Sequence, residues 1–220
     1  MKKINLLPTS IWSTILVISV FFSVFILPVM PVEWHRWLFR GAYSIIYISA
    51  IFSLEKRSKN LLILFAVNFS IEWISGILNL DLLNDISRSV DVVFFTVIII
   101  MLIKQIATSS NVTPRVILDS ITGYLLLGLI YSIFVTLIIK NIPDSYSNIQ
   151  VDQVNSAMQV NVSAPLYYSF VTIASLGYGD ICPIKPLSRS LATIITVSGQ
   201  FYMATIVALL VGKFSSKSQQ

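Results

Sequence analysis

Six apolar stretches, each close to twenty residues long, limit this chain more than any other feature of its sequence. A bilayer core of about 30 Å is crossed by roughly 20 apolar helical residues. Because lipid offers no hydrogen-bonding partner to bare backbone groups, each crossing segment is expected to be an α-helix. We therefore predict an all-α membrane protein with six transmembrane helices. The predicted spans are residues 10–30, 37–54, 61–80, 90–106, 116–139 and 191–211.

Composition and charge support this class of protein and orient the helices. Charged residues make up 11% of the chain, against about 25% in soluble domains. Six spans place both termini on one side, and cytoplasmic loops carry the excess of Lys and Arg. The strongest basic element is the linker at residues 55–60, which is predicted to be cytoplasmic together with both termini. We expect a multi-pass protein of the plasma or inner membrane, with no nucleic-acid surface.

The segment between the fifth and sixth stretches breaks the pattern. Residues 141–162 are polar, whereas residues 165–175 are apolar and aromatic but too short to cross a bilayer. A short apolar segment followed by a glycine-rich turn predicts a re-entrant helix and loop. Such a backbone is tolerated at membrane depth only where it is buried in protein or lines water. The predicted topology puts this loop on the outer side.

The glycine-rich turn reads Ser-Leu-Gly-Tyr-Gly-Asp at residues 175–180. Here the chain closely resembles the pore signature of the potassium-channel family, usually written TVGYGD or TLGYGD. The resemblance continues without a gap through Pro183, Arg189 and Gly199, and it covers roughly residues 116–213. The first four spans match the family only in number.

The resemblance implies a homotetramer with C4 symmetry in a lipid bilayer. It divides the chain into a four-helix transmembrane domain over residues 1–110 and a pore domain over residues 111–220, which holds the fifth span, the pore helix, the filter and the sixth span. The first domain has the position of a voltage sensor, yet its fourth span contains only Lys104, with Arg88 just outside. A voltage sensor needs several basic residues there, so we predict weak or absent voltage dependence.

The physics of ion dehydration explains the residue types in the motif. A K⁺ ion that sheds its water needs a cage of oxygens, and four copies of a loop turn each backbone carbonyl into a ring. Several successive carbonyls point the same way only if φ and ψ alternate unusually, which glycine allows because it lacks a Cβ. By resemblance, the filter that binds K⁺ consists of Ser175, Leu176, Gly177, Tyr178 and Gly179.

The same resemblance assigns the side chains around the filter. Asp180 would form a ring of carboxylates at the outer mouth, which concentrates cations. Tyr167, Tyr168 and Thr172 would brace the filter from behind. Ser175 stands where the family usually has threonine, so a methyl group that packs the innermost site is missing.

Polar and small residues of the sixth span mark its functional face. Thr196 and Gln200 lie one helical turn apart and are predicted to line the inner cavity. Gly199 matches the glycine hinge of the family. The alternative is that these small and polar residues only pack one helix on another.

Two ionisable residues fall inside the predicted second and third spans. Arg40 and Glu72 lie in the outer halves of adjacent, antiparallel helices, and charged groups inside a membrane usually face protein or water. We therefore predict that they pair. The alternative is that Arg40 alone extends outward to the headgroups.

The sequence thus predicts a potassium-selective channel subunit that conducts K⁺ passively through a central pore, with K⁺ as its permeant ion and no cofactor. An enzyme is not expected, because the sequence offers no clustered His, Cys or carboxylate set and no nucleophile with a nearby base. Two alternatives stay open. One is a weakly selective monovalent cation channel, and the other is a non-conducting membrane scaffold.

Overall fold

The computed structural model describes residues 9–54, 59–78, 81–149, 151–154, 157–160 and 163–217. These residues form long helices and one small β-hairpin. The helices are α1 (Thr9–Phe21), α2 (Val32–Ser53), α3 (Lys59–Leu78), α4 (Asp81–Thr108), α5 (Pro114–Asn141), α6 (Ser163–Ile173) and α7 (Pro186–Lys217). After α1 the chain stays helical through a π-helical turn at Phe22–Ile26 and a 3-10 turn at Leu27–Val29.

Among the described residues, four helical stretches are long and apolar enough to cross a membrane. They are Thr9–Val29, Ile86–Thr108, Pro114–Asn141 and Pro186–Ser215. These stretches correspond to the first, fourth, fifth and sixth predicted spans, as expected of a multi-pass helical membrane protein. The second and third predicted spans also coincide with helices, since α2 and α3 contain 22 and 20 residues. A topology with six crossings stays a prediction.

Helix α5 lies at the centre of the packing and contacts α1, α4, α6 and α7. Its start is set locally, because Pro114 occupies the first turn and the Thr113 side chain accepts a hydrogen bond from the Val116 backbone N–H. One apolar cluster joins α5 to α1, α2 and α4. A second joins it to α6 and α7 through Tyr168, Ile173 and Ile195. Helix α5 therefore connects the first four helices to the rest of the chain.

A β-hairpin adds to the predicted all-helical fold. Strands β1 (Val151–Val154) and β2 (Ala157–Val160) pair antiparallel, with Val154 opposite Ala157. Both strands lie in the stretch that we predicted only as polar. A spacing of two residues between short Val-containing runs is typical of hairpins, and that spacing is the signal in the sequence that could have indicated them.

Close helix packing depends on a glycine in the middle of α5. A Cβ added at Gly128 would lie 2.6 Å from the Phe170 Cε1 atom of α6, which is closer than side chains tolerate. By contrast, a Cβ at Gly41 in α2 would meet nothing within 4 Å. Gly128 therefore permits the close contact between α5 and α6, whereas Gly41 has room beside it for a side chain.

These two glycines predict opposite effects of alanine. Gly128→Ala should destabilise the folded protein by about 1–3 kcal/mol, because Phe170 has to move out of a packed interface. Gly41→Ala should leave stability unchanged or raise it by up to about 1 kcal/mol, through better helix propensity. The thermal unfolding midpoints of both variants in detergent test this. Equal midpoints would contradict the packing account.

Candidate functional site

Helix α6 is the short re-entrant element that the sequence predicts. It contains 11 residues, with Pro165 in its first turn, and so spans about 16 Å, roughly half of a bilayer core. Leu166, Tyr168 and Ile173 are buried, as the contacts of α6 with α5 and α7 require. The helix therefore ends inside the protein. Residues 174–180 follow it and are called the Gly-Tyr-Gly loop below.

Backbone hydrogen bonds close α6 and set the direction of the loop. The Ser175 backbone N–H donates to the Thr172 carbonyl at 3.0 Å, and the Leu176 N–H donates to the Val171 carbonyl at 2.9 Å. Both bonds turn the chain back on the last turn of the helix. From Ser175 onward, the backbone φ angle is positive at every second residue.

Three alternate residues of the loop have positive φ. The φ angles are +59° at Ser175, +56° at Gly177 and +81° at Gly179. Gly177 and Gly179 therefore adopt the left-handed backbone conformation that glycine allows. Ser175 is a third such position, which the sequence did not indicate, and the left-handed conformation costs a non-glycine residue about 1–2 kcal/mol. This strain has to be offset by the contacts that hold Ser175.

The loop is open to its surroundings in a single chain. Leu176 is 56% exposed and Tyr178 is 67% exposed. On α7, the apolar side chains of Ile194 and Phe201 are exposed as well. One chain therefore does not enclose the loop.

Tyr167 reaches the far end of the loop. Its hydroxyl donates to the Asp180 Oδ2 atom at 2.5 Å, and this hydrogen bond lowers the pKa of the exposed Asp180 carboxyl group. The Asn148 amide also donates to the Asp180 carbonyl at 2.8 Å. Tyr167 thus supports the loop through Asp180 and is itself partly exposed.

Tyr168 and Thr172 lie on the buried side of α6. The Tyr168 ring packs edge-on against Tyr146 at a centroid distance of 5.0 Å, and the side chains of Tyr168 and Thr172 are hydrogen-bonded to each other. The Thr172 carbonyl accepts from Ser175, as described above. Both residues lie in α6 directly before the loop, and their role in bracing the filter stays a prediction.

Residues 145–148 form a clamp that sequence reasoning missed. The Ser147 N–H donates to the Cys182 carbonyl at 2.9 Å, and the Ile184 N–H donates to the Ser145 carbonyl at 2.9 Å. The clamp fixes the chain just after the Gly-Tyr-Gly loop. These contacts join segments about 35 residues apart, and no local pattern in a polar loop indicates them.

The predicted face of α7 meets the end of α6. The Thr196 hydroxyl lies 3.3 Å from the Thr172 carbonyl, and the Gln200 Nε2 atom donates to Ser175 Oγ at 2.9 Å. A Cβ added at Gly199 would lie 2.6 Å from the Ile173 carbonyl oxygen. The contact at Gly199 agrees with the packing alternative, and its role as a hinge stays a prediction.

The first four helices contain a buried polar cluster. Glu72 and Asp91 are 6% and 3% exposed, and the Arg40 charge acts on the Glu72 carboxyl group. Asn68 donates to Asp91 at 2.8 Å, and the Tyr47 hydroxyl donates to the same carboxylate. Arg40 and Glu72 are therefore near each other, while their direct pairing stays a prediction. Asp91 is buried well inside α4, which begins nine residues before the predicted fourth span.

At the end of the molecule away from the loop, α7 is tied to α4. The Lys213 ammonium group donates to the Ser109 carbonyl at 2.6 Å and to the Ala107 carbonyl at 3.1 Å. Ala107 lies in the last turn of α4 and Ser109 directly follows it, at the helix end where a cation is favoured by the helix dipole. Nearby, Arg115 bonds the Ser53 carbonyl at 2.6 Å. Neither contact was predicted from the sequence.

Comparison with known proteins gives a match for the part of the chain that contains this loop. A family model described as an ion channel matches residues 120–216, which include most of α5, the whole of α6, the Gly-Tyr-Gly loop and nearly all of α7. No curated protein and no solved structure matches the chain. Residues 120–216 of the chain are therefore similar to the ion channel family, and the match supports a two-helix pore-loop domain of the potassium-channel type in this part of the chain.

Proposed function

We propose that the chain is one subunit of a homotetrameric potassium-selective channel, which conducts K⁺ passively across a membrane. The observation that carries this proposal is the positive φ at the alternate residues Ser175, Gly177 and Gly179. The loop that contains them directly follows α6, a helix about half as long as a bilayer core is thick. Such an alternation lets successive carbonyls face one side. K⁺ is the permeant ion, and the proposal needs no cofactor and no enzymatic step.

Fourfold assembly is supported by the exposed loop and apolar side chains of a single chain. Carbonyls from a single loop can contact an ion on one side only, whereas four loops around an axis enclose it. The exposed Leu176, Tyr178 and Phe201 side chains lie on the loop and on α7, the parts of the chain that four copies would bring together. In the proposed tetramer, Ser175, Leu176, Gly177, Tyr178 and Gly179 contribute the ion sites.

The electrostatics of α6 and of the loop favour a cation. The C-terminal end of a helix carries a partial negative charge, and α6 ends at Ile173, directly before the loop. In a tetramer four such ends would converge below the filter. At the other side, four Asp180 carboxylates would raise the local cation concentration at the outer mouth.

The proposed arrangement in the membrane has six spans and cytoplasmic termini. Arg115 lies at the start of α5 and Lys213 near the end of α7, each at the end of its helix opposite the Gly-Tyr-Gly loop. A concentration of basic residues favours the cytoplasmic side, which supports a plasma or inner membrane location with the loop outside. Residues 1–110 then form a four-helix domain, and residues 111–220 form the pore domain.

A weakly selective cation channel is the second candidate, because of one specific feature. Ser175 lacks the methyl group of the threonine that the family usually has, so its side chain is less restricted. A looser innermost site would distinguish K⁺ from Na⁺ less well.

Ion flux into liposomes tests the proposed function. Purified wild-type protein should pass K⁺ and exclude Na⁺, and Gly177→Ala should reduce the selective flux by at least about tenfold, because alanine disfavours the left-handed backbone. A Cβ at Gly177 would meet nothing within 4 Å in its own chain, so within one chain the effect comes from the backbone conformation. Gly41→Ala is the matched control and should conduct as the wild type does.

Each alternative has its own outcome in this assay. Equal wild-type permeation of Na⁺ and K⁺ would establish the weakly selective channel. Protein that inserts as a tetramer but passes neither ion would favour the non-conducting scaffold. Unchanged selective flux in Gly177→Ala would mean that the filter lies elsewhere.

The hydrogen bond between Tyr167 and Asp180 predicts a change in acid sensitivity. Because the bond lowers the pKa of Asp180, the carboxylate stays ionised to lower pH in the wild type. Tyr167→Phe removes the donor, so the pKa should return towards its ordinary value and the carboxylate should be neutralised at higher pH. The midpoint of acid inhibition of K⁺ flux should therefore move to higher pH in this variant.

Asp180→Asn supplies the control for this titration. Its flux should lack the acid step that belongs to Asp180, whatever its amplitude at neutral pH. Identical acid midpoints in the wild type and Tyr167→Phe would show that this hydrogen bond does not control the charge at the mouth.

A further inference from the structure

We propose that Gln200 is a positioning residue for the innermost ion site, where it fixes the Ser175 hydroxyl and so sets the selectivity between K⁺ and Na⁺. The inference rests on the proposed function, because it concerns an ion site of that channel. The observation behind it is the hydrogen bond from the Gln200 Nε2 atom to Ser175 Oγ, at 2.9 Å.

The position of Ser175 makes its side chain a critical one. It is the first residue of the Gly-Tyr-Gly loop with positive φ, at +59°. A non-glycine residue holds such a conformation only when its surroundings determine it. The backbone N–H of Ser175 is bonded to the Thr172 carbonyl, and the bond from Gln200 holds the side chain.

Serine at this position needs a partner that threonine does not need. A threonine side chain is branched at Cβ and strongly restricted at χ1, whereas a serine hydroxyl moves among three staggered positions. A donor placed 2.9 Å from Oγ selects one of these positions. The bond from Gln200 thereby supplies the restriction that the missing methyl group would have supplied.

The chemistry of the bond leaves the hydroxyl able to contact a cation. A serine Oγ has two acceptor lone pairs and one proton. One lone pair accepts the Gln200 N–H, and the second remains for the ion. An amide is suited to this task because it donates without adding charge, whereas an ionised carboxylate at the same place has no proton to donate.

Helix α7 holds Gln200 at the required distance. Gly199, the preceding residue, packs against the last residue of α6, with an added Cβ only 2.6 Å from the Ile173 carbonyl oxygen. One turn earlier, the Thr196 hydroxyl lies 3.3 Å from the Thr172 carbonyl. Two further contacts between α7 and α6 thus set the register that brings the Gln200 amide to Ser175.

A double-mutant cycle tests the inference through the permeability ratio of K⁺ to Na⁺ in liposomes. Gln200→Met keeps an unbranched side chain of similar length but cannot donate, and it should lower the ratio about threefold to tenfold, the worth of one net hydrogen bond. In the Ser175→Thr background the same substitution should have little effect, because threonine restricts its own side chain.

Matched variants separate positioning from a general structural role. Ser198 is on α7, as Gln200 is, and is hydrogen-bonded to Tyr131 of α5, so Ser198→Ala removes a contact that does not involve Ser175 and should leave the ratio unchanged. Gln200→Asn keeps the amide but is one methylene too short to reach Ser175. It should reduce the ratio as Gln200→Met does, and it serves as the test if Gln200→Met does not assemble.

The outcomes distinguish this inference from the proposed function. An unchanged ratio in both Gln200 variants, with a selective wild type, overturns the role of Gln200 and leaves the channel intact. Equal losses in the Ser175 and Ser175→Thr backgrounds overturn positioning through Ser175. A wild type that passes no K⁺ overturns the proposed function and this inference together.

Discussion

Bare peptide groups cannot face hydrocarbon, and this constraint decides where the Gly-Tyr-Gly loop can lie. The loop has positive φ at every second residue from Ser175 to Gly179, so it makes neither a helix nor a strand. Inside a membrane such a backbone persists only where protein covers it or where water and ions solvate it. A single chain leaves Tyr178 67% exposed, and in the proposed channel further chains and ions complete its surroundings.

Helices α5, α6 and α7 hold this strained loop in one geometry. Helix α6 packs closely against α5, and Gly128 of α5 allows this close contact because it has no side chain. The loop is then held at both ends, by the bonds of Ser175 at its start and by Tyr167 and Asn148 on Asp180 at its end. Each bond is modest alone, about 0.5–1.5 kcal/mol, but together they offset the cost of left-handed residues.

The features that the sequence predicts well are those that depend on local composition. Helix positions follow from apolar length, α6 from a short apolar run, and the backbone at Gly177 and Gly179 from the lack of a Cβ. Features that depend on distant segments were missed. The clamp at residues 145–148, the tie from Lys213 to α4 and the bond from Gln200 to Ser175 each join residues far apart in the chain, so no local period or spacing encodes them.

The proposed channel requires that four chains bring main-chain oxygens together around one axis to replace the water of K⁺. Its most direct test is a density map of the assembled protein with Tl⁺, which is close to K⁺ in size and scatters strongly. We expect four chains around the loop and a column of Tl⁺ on the axis, between the carbonyl rings of Ser175 to Tyr178. A monomer, or a tetramer whose Gly177 lies away from the axis with Tl⁺ bound elsewhere, would contradict it.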